Sequence, residues 1–369
     1  MMQKWRGKIK SKKTVVTVSL LVVLMLLGSS GVLLQAKTGR DYSLNKKEAE
    51  MVDLLTKNAR ARYMGYYSVE LPEDFTPMPG MHMLTHDSDN NKIEIDKKYL
   101  PAFESFLISY EEKLKNENVL RREDVPFLKK IHPLPIGMKG IIFEHTDGLR
   151  EDVFRLLDGY KWQDDTLFSV KVNAKDGRDK KYDKDRKVWG NTLGYNVPEK
   201  KAQLLTLLKA LQPRKDSEPP EKGRLALKYA QIDPALLGGY ELSYKYQNSN
   251  EIKVILSTDN SEYTGLPLLE TDPRVMEMSG GSTIYKGKRQ INGLEASEWL
   301  IRRVINTPGS SGSEYAFKVY IHQDKADNSL PLRMTLRYTT QERDRENILS
   351  EAELVALWQH ITETINYLK

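Results

Sequence analysis

The side chains with the best spacing for metal binding are His82 and His86. Two histidines four residues apart lie on one face of a helix, where both imidazoles can reach the same zinc ion. A zinc protease also needs a glutamate directly after the first histidine, but Met83 occupies that position. Pro77 and Pro79 disfavour a helix nearby. We therefore expect two polar residues on an exposed strand or loop, and we predict no metal site.

Two glycine-bearing segments approach the spacing of catalytic loops without reaching it. Gly309 and Gly312 enclose two serines, whereas a nucleophile elbow has one more residue between its glycines. Gly281 and Gly287 precede Lys288, but a phosphate-binding loop has its glycines one residue closer and a hydroxyl after the lysine. We interpret the first segment as a flexible hairpin tip, and the second match fails.

The rest of the sequence assembles no recognisable set of reactive side chains. The remaining histidines fall in four different predicted elements: His132, His145, His322 and His360. The chain has no cysteine, which excludes disulfides, thiolate nucleophiles, iron–sulfur clusters and thiolate zinc sites. We therefore predict that the protein is not an enzyme and needs no cofactor. We assign no catalytic, cofactor-binding or metal-binding residue, and the partner-binding residues stay unknown.

The first element of the chain is an N-terminal export segment, residues 1–36, which determines where the rest of the chain lies. Six basic side chains precede the apolar run Val15–Leu34. As a helix this run is about 30 Å long, the thickness of the hydrocarbon core of a bilayer. Basic residues are retained on the cytoplasmic side, so we predict that the chain beyond residue 36 lies across the membrane, in the periplasm of a bacterium.

A cleaved signal peptide is the alternative interpretation of the same segment. The apolar stretch Val15–Leu27 and the small residues 28–31 fit that layout. However, Leu34 stands where a cut after Ala36 would need a small side chain, and no cysteine exists to carry a lipoprotein acyl group. We favour an uncleaved inner-membrane anchor formed by residues 15–34. Both interpretations place the remaining chain in the periplasm.

The positive net charge of the chain is confined to this N-terminal segment. The sequence has 57 lysine and arginine residues and 51 aspartate and glutamate residues, a net charge of +6. Six basic residues and no acidic ones lie within residues 1–36, so the exported part is neutral. A neutral domain offers no electrostatic footprint for a polyanion, and we predict no nucleic-acid partner.

The length of the exported part predicts two domains, because a single hydrophobic core rarely supports so many residues. The polar, proline-bearing stretch Pro213–Gly223 can hold neither a helix nor a central strand, and we interpret it as the linker. The predicted units are therefore an N-terminal domain, 40–212, a linker, 213–223, and a C-terminal domain, 224–369.

Hydrophobic periodicity predicts an α+β fold in which each domain is a largely antiparallel sheet covered by helices. In the first domain we expect helices at 43–60, 99–114, 152–158 and from Pro198, and strands at 64–70, 138–144 and 166–172. In the second we expect strands around 242–246, 315–321 and 332–338, followed by a helix after the capping box of Ser350 and Glu353. We interpret the mixed-charge stretch 171–187 as a solvated hairpin loop, of a kind that suits recognition of a protein partner.

Three segments carry a resemblance to a known family. They are Arg62–Pro72, the run Tyr285–Leu300 with its Gly-Lys-Arg, Asn-Gly-Leu and Glu-Trp-Leu elements, and Leu349–Glu353. Together they resemble the type VI secretion lipase immunity proteins of family four, and the likeness covers most of residues 40–369. Members of that family often carry a lipobox or a cysteine before the first strand, which this chain lacks.

The resemblance implies a periplasmic inhibitor that binds a cognate secreted phospholipase, one to one, before the enzyme attacks the membranes of the producing cell. It implies a steric mechanism in which both domains clamp the enzyme across their cleft. Two other classes stay open on the sequence alone: a membrane-anchored envelope protein with a structural or ligand-binding role, and a hydrolase with a scattered site.

Aromatic side chains can serve either in the core or at a contact surface. We expect Asn292 and Gly293 to form a tight hairpin turn and Trp299 to lie in the core of the partner strand. Tyr182, Trp162 and Trp189 fit either a contact surface or the core equally well, so none is assigned to a site.

Overall fold

The computed structural model describes residues 42–85, 91–260, 267–272, 274, 280–307, 310–321, 330–340 and 348–368. The predicted anchor or signal segment, 1–36, lies outside these residues. Within the described ranges, every helix is too short or too polar to cross a membrane.

The described residues form five α-helices and nineteen β-strands. The helices are α1 Lys46–Thr56, α2 Leu100–Lys115, α3 Asp183–Trp189, α4 Val197–Ala210 and α5 Glu351–Glu363. The strands of the first half are β1 Arg60–Met64, β2 Tyr67–Leu71, β3 Thr76–Pro77, β4 His82–Thr85, β5 Lys92–Lys97, β6 Leu128–Pro133, β7 Lys139–Thr146, β8 Phe154–Gln163, β9 Thr166–Lys175 and β10 Gln212–Pro213. Those of the second half are β11 Leu225–Leu227, β12 Ala230–Ile232, β13 Tyr240–Gln247, β14 Lys253–Asp259, β15 Gly281–Ile291, β16 Leu294–Thr307, β17 Ser310–Ile321, β18 Leu332–Thr339 and β19 Asn366–Tyr367.

One antiparallel sheet of thirteen strands runs through both halves of the chain. Its order is β15-β16-β17-β18-β14-β13-β4-β5-β9-β8-β7-β6, and β3 also pairs with β13. The halves meet where β13 pairs with β4, with Leu242 opposite Met83 and Tyr240 opposite Thr85. The expectation of antiparallel sheets covered by helices is confirmed, but the two sheets are continuous through this strand pair.

The two ends of the described chain also cross between the halves. Strand β19 pairs with β2 in a small sheet with β1. Helix α1 packs beside α5, where Ser350 Oγ donates to Glu48 at 2.9 Å and Tyr42 donates to Glu351 at 2.6 Å. The start of the predicted N-terminal domain is therefore attached to the C-terminal half as well as to its own.

The segment interpreted as a linker contains no helix and no central strand, as predicted, but two of its charged residues, Arg214 and Asp216, are buried. Arg214 donates to the backbone carbonyls of Leu227 and Lys215, each at 2.8 Å. Asp216 is 6% exposed, lies 3.5 Å from Arg62 and accepts a hydrogen bond from Tyr246 at 2.9 Å. The segment is thus held against both halves.

The helix predicted at 152–158 is wrong, because β8 begins at Phe154. This strand is covered on both faces, so its sequence lacks the alternation of a half-buried strand. Tyr160 meets Phe106 of α2 edge to face on one side, with ring centroids 5.1 Å apart. On the other side α4 lies so close that a Cβ at Gly159 would be 2.5 Å from Leu204. Gly159 therefore permits close packing of α4.

The helix predicted at the C-terminus and the hairpin before it are confirmed. Ser350 and Glu353 form the capping box of α5. The turn between β15 and β16 places Asn292 at φ 47° and Gly293 at φ 81°, the left-handed pair that a tight primed turn requires. Trp299 is buried, as predicted, on the face of β16 opposite to α5.

Candidate interaction site

Three segments meet at one end of the N-terminal part of the sheet. Strands β6 to β9 are antiparallel neighbours. The same end of the sheet therefore holds the first residues of β6 and β8 and the last residues of β7 and β9. The chain adjoining these strand ends comprises 116–127, 147–153 and 176–196. We call the surface that these segments form the strand-end surface.

Lys181 connects all three segments of the strand-end surface. Its ammonium lies 2.5 Å from Asp124 of the first segment and 2.9 Å from Asp152 of the second. The neighbouring Tyr182 is buried and donates to Asp152 at 2.5 Å. Charge-assisted bonds of this kind are about twice as strong as neutral ones, so they fix the three segments relative to one another.

The hairpin loop predicted at 171–187 is therefore wrong. Residues 171–175 belong to β9, and the chain continues into a 3₁₀ turn and α3. The mixed charges that suggested a solvated loop are partly used in buried ion pairs, and Tyr182 is a core residue.

A second layer of charge lies beneath these segments, on β6, β7 and β8. Lys129 is 3.3 Å from Asp152, and Arg155 is 3.8 Å from both Asp152 and Glu144. His132 Nε2 lies 2.8 Å from Glu144. These side chains are largely buried, so the strand-end surface rests on a rigid base.

Burial alone would raise the pKa of the Asp152 carboxyl, but its partners outweigh that effect. Hydrogen bonds from Tyr182 and Lys181, with the charges of Lys129 and Arg155, lower its pKa from 3.8 to about 2. The bonds to Asp124 and Asp152 likewise raise the pKa of Lys181 above its usual value, against the effect of its burial. The ion pairs are thus fully formed at neutral pH.

We expect acid to weaken this network. The pKa of Asp152 is lower in the folded state than in the unfolded chain, so its contribution to stability is complete above about pH 4 and is lost as the pH falls towards 2. An Asp152→Asn variant should be less stable than wild type at pH 7 and should lose less stability between pH 4 and 2. Urea unfolding at several pH values measures both.

The matched control for this prediction is Asp185→Asn on the exposed side of α3, which should keep the wild-type pH dependence. Equal slopes for wild type and Asp152→Asn between pH 4 and 2 would contradict the assignment of the acid-sensitive group.

The outer side of the strand-end surface is rich in exposed apolar side chains. Six large hydrophobic residues there are at least 43% exposed: Leu120, Val125, Leu149, Val188, Trp189 and Tyr195. Of the three aromatic residues that the sequence leaves unassigned, Tyr182 is buried and Trp162 is partly buried, donating to the carbonyl of Lys98 at 2.7 Å. Trp189 is 63% exposed and is available for contact. Exposed aromatic side chains on a rigid base are typical of protein-binding surfaces.

A pocket of about 230 Å³ opens within the same surface, between the loop before β8 and the chain after β9. Arg150 is paired with Asp147 at 2.7 Å and lies 3.8 Å above the Phe154 ring. On the other side, Arg178 lies 3.6 Å above the Tyr195 ring. Of these two stacked pairs, only Arg150 and Phe154 line the pocket, together with polar side chains such as Asn173 and Asn196.

The residues first considered for metal binding do not come together into a site. His82 lies on β4 with its Nε2 2.5 Å from Glu241, and His86 lies outside the described residues. His145 is buried on β7, 3.2 Å from Asp158, and His360 is exposed on α5, while His322 also lies outside the description. The described part of the chain holds no group of three potential metal ligands.

The two glycine-bearing segments are parts of strand pairs. Residues 281–291 form β15, so the segment that resembled a phosphate-binding loop is extended. Ser310 pairs with Thr307, which places the second segment at the β16–β17 hairpin as expected, although Gly309 itself is not described.

A rigid antiparallel sheet that presents apolar side chains from three fixed segments is typical of a protein-binding module. The chain belongs to a specific family of such modules, the Tle cognate immunity protein 4 family. The model of its N-terminal domain matches residues 60–214, and the model of its C-terminal domain matches residues 237–367. The resemblance found in the sequence is confirmed.

Solved structures show the same fold. The apo immunity protein TplEi of the type VI secretion system of Pseudomonas aeruginosa has 13% identity and a TM-score of 0.59, over 85% of this chain and 98% of that one. The immunity protein in the Tle4–Tli4 complex has 14% identity and a TM-score of 0.59 over the same shares. TplEi complexed with an "L" peptide has 14% identity and a TM-score of 0.54, over 85% and 99%. No curated protein matches this chain significantly.

Proposed function

We propose that this protein is the periplasmic immunity partner of a type VI secreted phospholipase, which it binds and blocks sterically. The observation that carries the proposal is the match of both family domains across the two halves of the chain. The solved Tle4–Tli4 complex supports a protein effector as the partner, because a fold-mate of this chain is bound there.

The physical character of the described residues suits a steric inhibitor. One sheet joins the two halves, and buried ion pairs hold the strand-end surface in place, so little conformational entropy is lost on binding. A lipase must move its lid elements to admit lipid, and a rigid partner seated on those elements prevents the movement. An interface of about 1,200 Å² or more is needed for stable binding, and both halves contribute to it.

The periplasmic location and the membrane tether rest on the sequence of residues 1–36. The basic cluster followed by Val15–Leu34 supports export with the rest of the chain beyond the membrane. An inner-membrane anchor holds the inhibitor beside the lipid that the effector attacks.

The test uses residues 40–369 and the lipase encoded beside this gene. All core side chains of the described fold lie between Leu55 and Ile365, so this chain retains the whole described core. Phospholipid hydrolysis should fall as the molar ratio of inhibitor rises and should cease near one to one, with a complex that co-elutes in size-exclusion chromatography. Undiminished hydrolysis with separate elution would refute the proposal.

A further inference from the structure

We propose that one open side of the large sheet binds an acidic surface of the cognate effector. We call it the basic face. It consists of the outward-facing residues of four adjacent strands, β13, β14, β18 and β17: Ser243, Lys245, Gln247, Lys253, Ile255, Ser257, Arg333, Thr335, Arg337, Ala316, Lys318 and Tyr320. This inference rests on the proposed function and specifies which surface of the inhibitor receives the enzyme.

The cations of the basic face are held close together by the strand register. Lys253 of β14 is directly opposite Arg337 of β18, and Lys318 of β17 is opposite Thr335, two residues from Arg337. Intervening residues such as Leu336 point to the other face and are buried in the core. Side chains directly opposite on one face have Cβ atoms about 5 Å apart. The positive charges are therefore crowded on the open side of the sheet.

These cations have no compensating charge within the basic face, because none of its residues is acidic. Lys245, Lys253 and Arg337 are exposed, and no carboxylate of the described residues lies within ion-pair distance of them or of Lys318. Burial lowers the pKa of Lys318, and the charge of Arg337 lowers it further. Like charges directly opposite each other destabilise a sheet. The folded protein thus keeps a repulsive arrangement that an anionic partner would relieve.

The charges beside the basic face are paired instead. Glu241 lies 2.5 Å from His82, and Glu314 lies 3.8 Å from Arg303. The chain beyond residue 36 is neutral overall, so the excess of positive charge is a local property of these four strands. A local excess of this kind gives a surface complementary to an acidic one.

Two elements flank the open face on the same side of the sheet. Helix α2 covers β7 to β9, where Phe106 packs on Tyr160. At the other end, the segment 267–272 covers part of β16 and β17, where Leu268 packs with Trp299. Strands β18, β14, β13, β4 and β5 lie between these covers. At about 4.8 Å per strand, they leave an opening about 24 Å wide among the described residues.

A recessed basic floor favours a projecting protein element over a flat membrane. A helix with its side chains is about 10 Å across, so a bilayer resting on α2 would stay well above Lys245 and Lys253. A second copy of this chain would bring the same cations face to face, and residues 1–36 carry basic side chains and no acidic ones. Like charge repels both of these occupants, which leaves an acidic element of the partner.

The test compares association rates with the neighbouring lipase for three forms of residues 40–369: wild type, Lys245→Glu/Lys253→Glu and Lys57→Glu/Lys209→Glu. The first double reversal should slow association about tenfold at low salt, because charge complementarity acts mainly on the association rate. Added salt should slow wild type and should have little effect on this variant. The second double reversal makes the same change of charge at exposed lysines of α1 and α4, outside the basic face, and should associate within about twofold of wild type.

Urea unfolding separates slower association from a folding defect. Lys253→Glu places a carboxylate directly opposite Arg337, so this variant should be at least as stable as wild type. Slow association by Lys245→Glu/Lys253→Glu with an unchanged or raised urea midpoint assigns the effect to the surface. A lowered midpoint for Lys253→Glu would contradict the repulsion on which the basic face is based.

The outcomes also separate this inference from the proposed function. If wild type inhibits the lipase and Lys245→Glu/Lys253→Glu associates equally fast, the basic face is refuted and the immunity function stands. Equal slowing of the two double variants would show a general charge effect and would also refute the face. Wild type that neither binds nor inhibits the lipase overturns both proposals. Binding to phosphatidylglycerol vesicles that depends on Lys245 and Lys253, with lipase association unchanged, would identify an anionic membrane as the occupant instead.

Discussion

Trp358→Ala is expected to lower the free energy of unfolding by about 3–5 kcal/mol. Trp358 is fully buried where α5 packs on the sheet, with its ring centroid 6.1 Å from that of Phe317. Its indole N–H donates to Glu298 at 2.6 Å, so the substitution leaves a cavity and also removes a hydrogen bond from a buried carboxylate. Denaturant unfolding followed by far-UV circular dichroism measures the change.

Trp189→Ala is the matched control for Trp358→Ala. The two substitutions remove the same side chain, but Trp189 is 63% exposed on α3, and its loss should change stability by no more than about 0.5 kcal/mol. Similar losses for the two variants would mean that α5 does not complete the core of the C-terminal half.

The elements that could be predicted from the sequence are those with one buried face or a local capping signal. Helices α2 and α5 bury one stripe of side chains, and Ser350 and Glu353 mark the start of α5. The hairpin at Asn292 and Gly293 was predictable because a left-handed turn restricts the residue types. The family resemblance rested on this same hairpin, and it led to the correct class of function.

The elements that were missed depend on tertiary contacts. Strand β8 is covered by helices on both faces, which removes the period-two pattern from its sequence. The strand-end surface is assembled by Asp124, Asp152 and Lys181, which are distant in sequence, and no local pattern indicates that they pair. The sequence signal for this surface was a large apolar residue within a polar loop, such as Leu149 or Trp189. Without the fold, however, the sequence does not tell whether such a residue is buried or exposed.

Substitution of Asp216, a buried residue of the predicted linker, is expected to cause a second large loss of stability. Asp216→Ala should lower the free energy of unfolding by about 3–5 kcal/mol, because it leaves the largely buried Arg62 without its ion-pair partner and Tyr246 without its acceptor. Burial raises the pKa of the Asp216 carboxyl, and the charge of Arg62 opposes that effect. Chemical denaturation measures the loss.

The same substitution tests whether the segment couples the two halves of the protein. In wild type, Arg214 and Asp216 hold the chain on either side of Lys215 in place, so trypsin should cut after Lys215 slowly. Asp216→Ala should make that cut fast, and Asp216→Asn, which can still accept from Tyr246, should lie between the two. Glu218→Ala removes only a surface partner of Lys215 and serves as the control, with stability within about 0.5 kcal/mol of wild type. If Asp216→Ala is as stable and as protease-resistant as Glu218→Ala, the coupling of the halves must come from their other contacts, the β13–β4 and β19–β2 strand pairs and the packing of α1 beside α5.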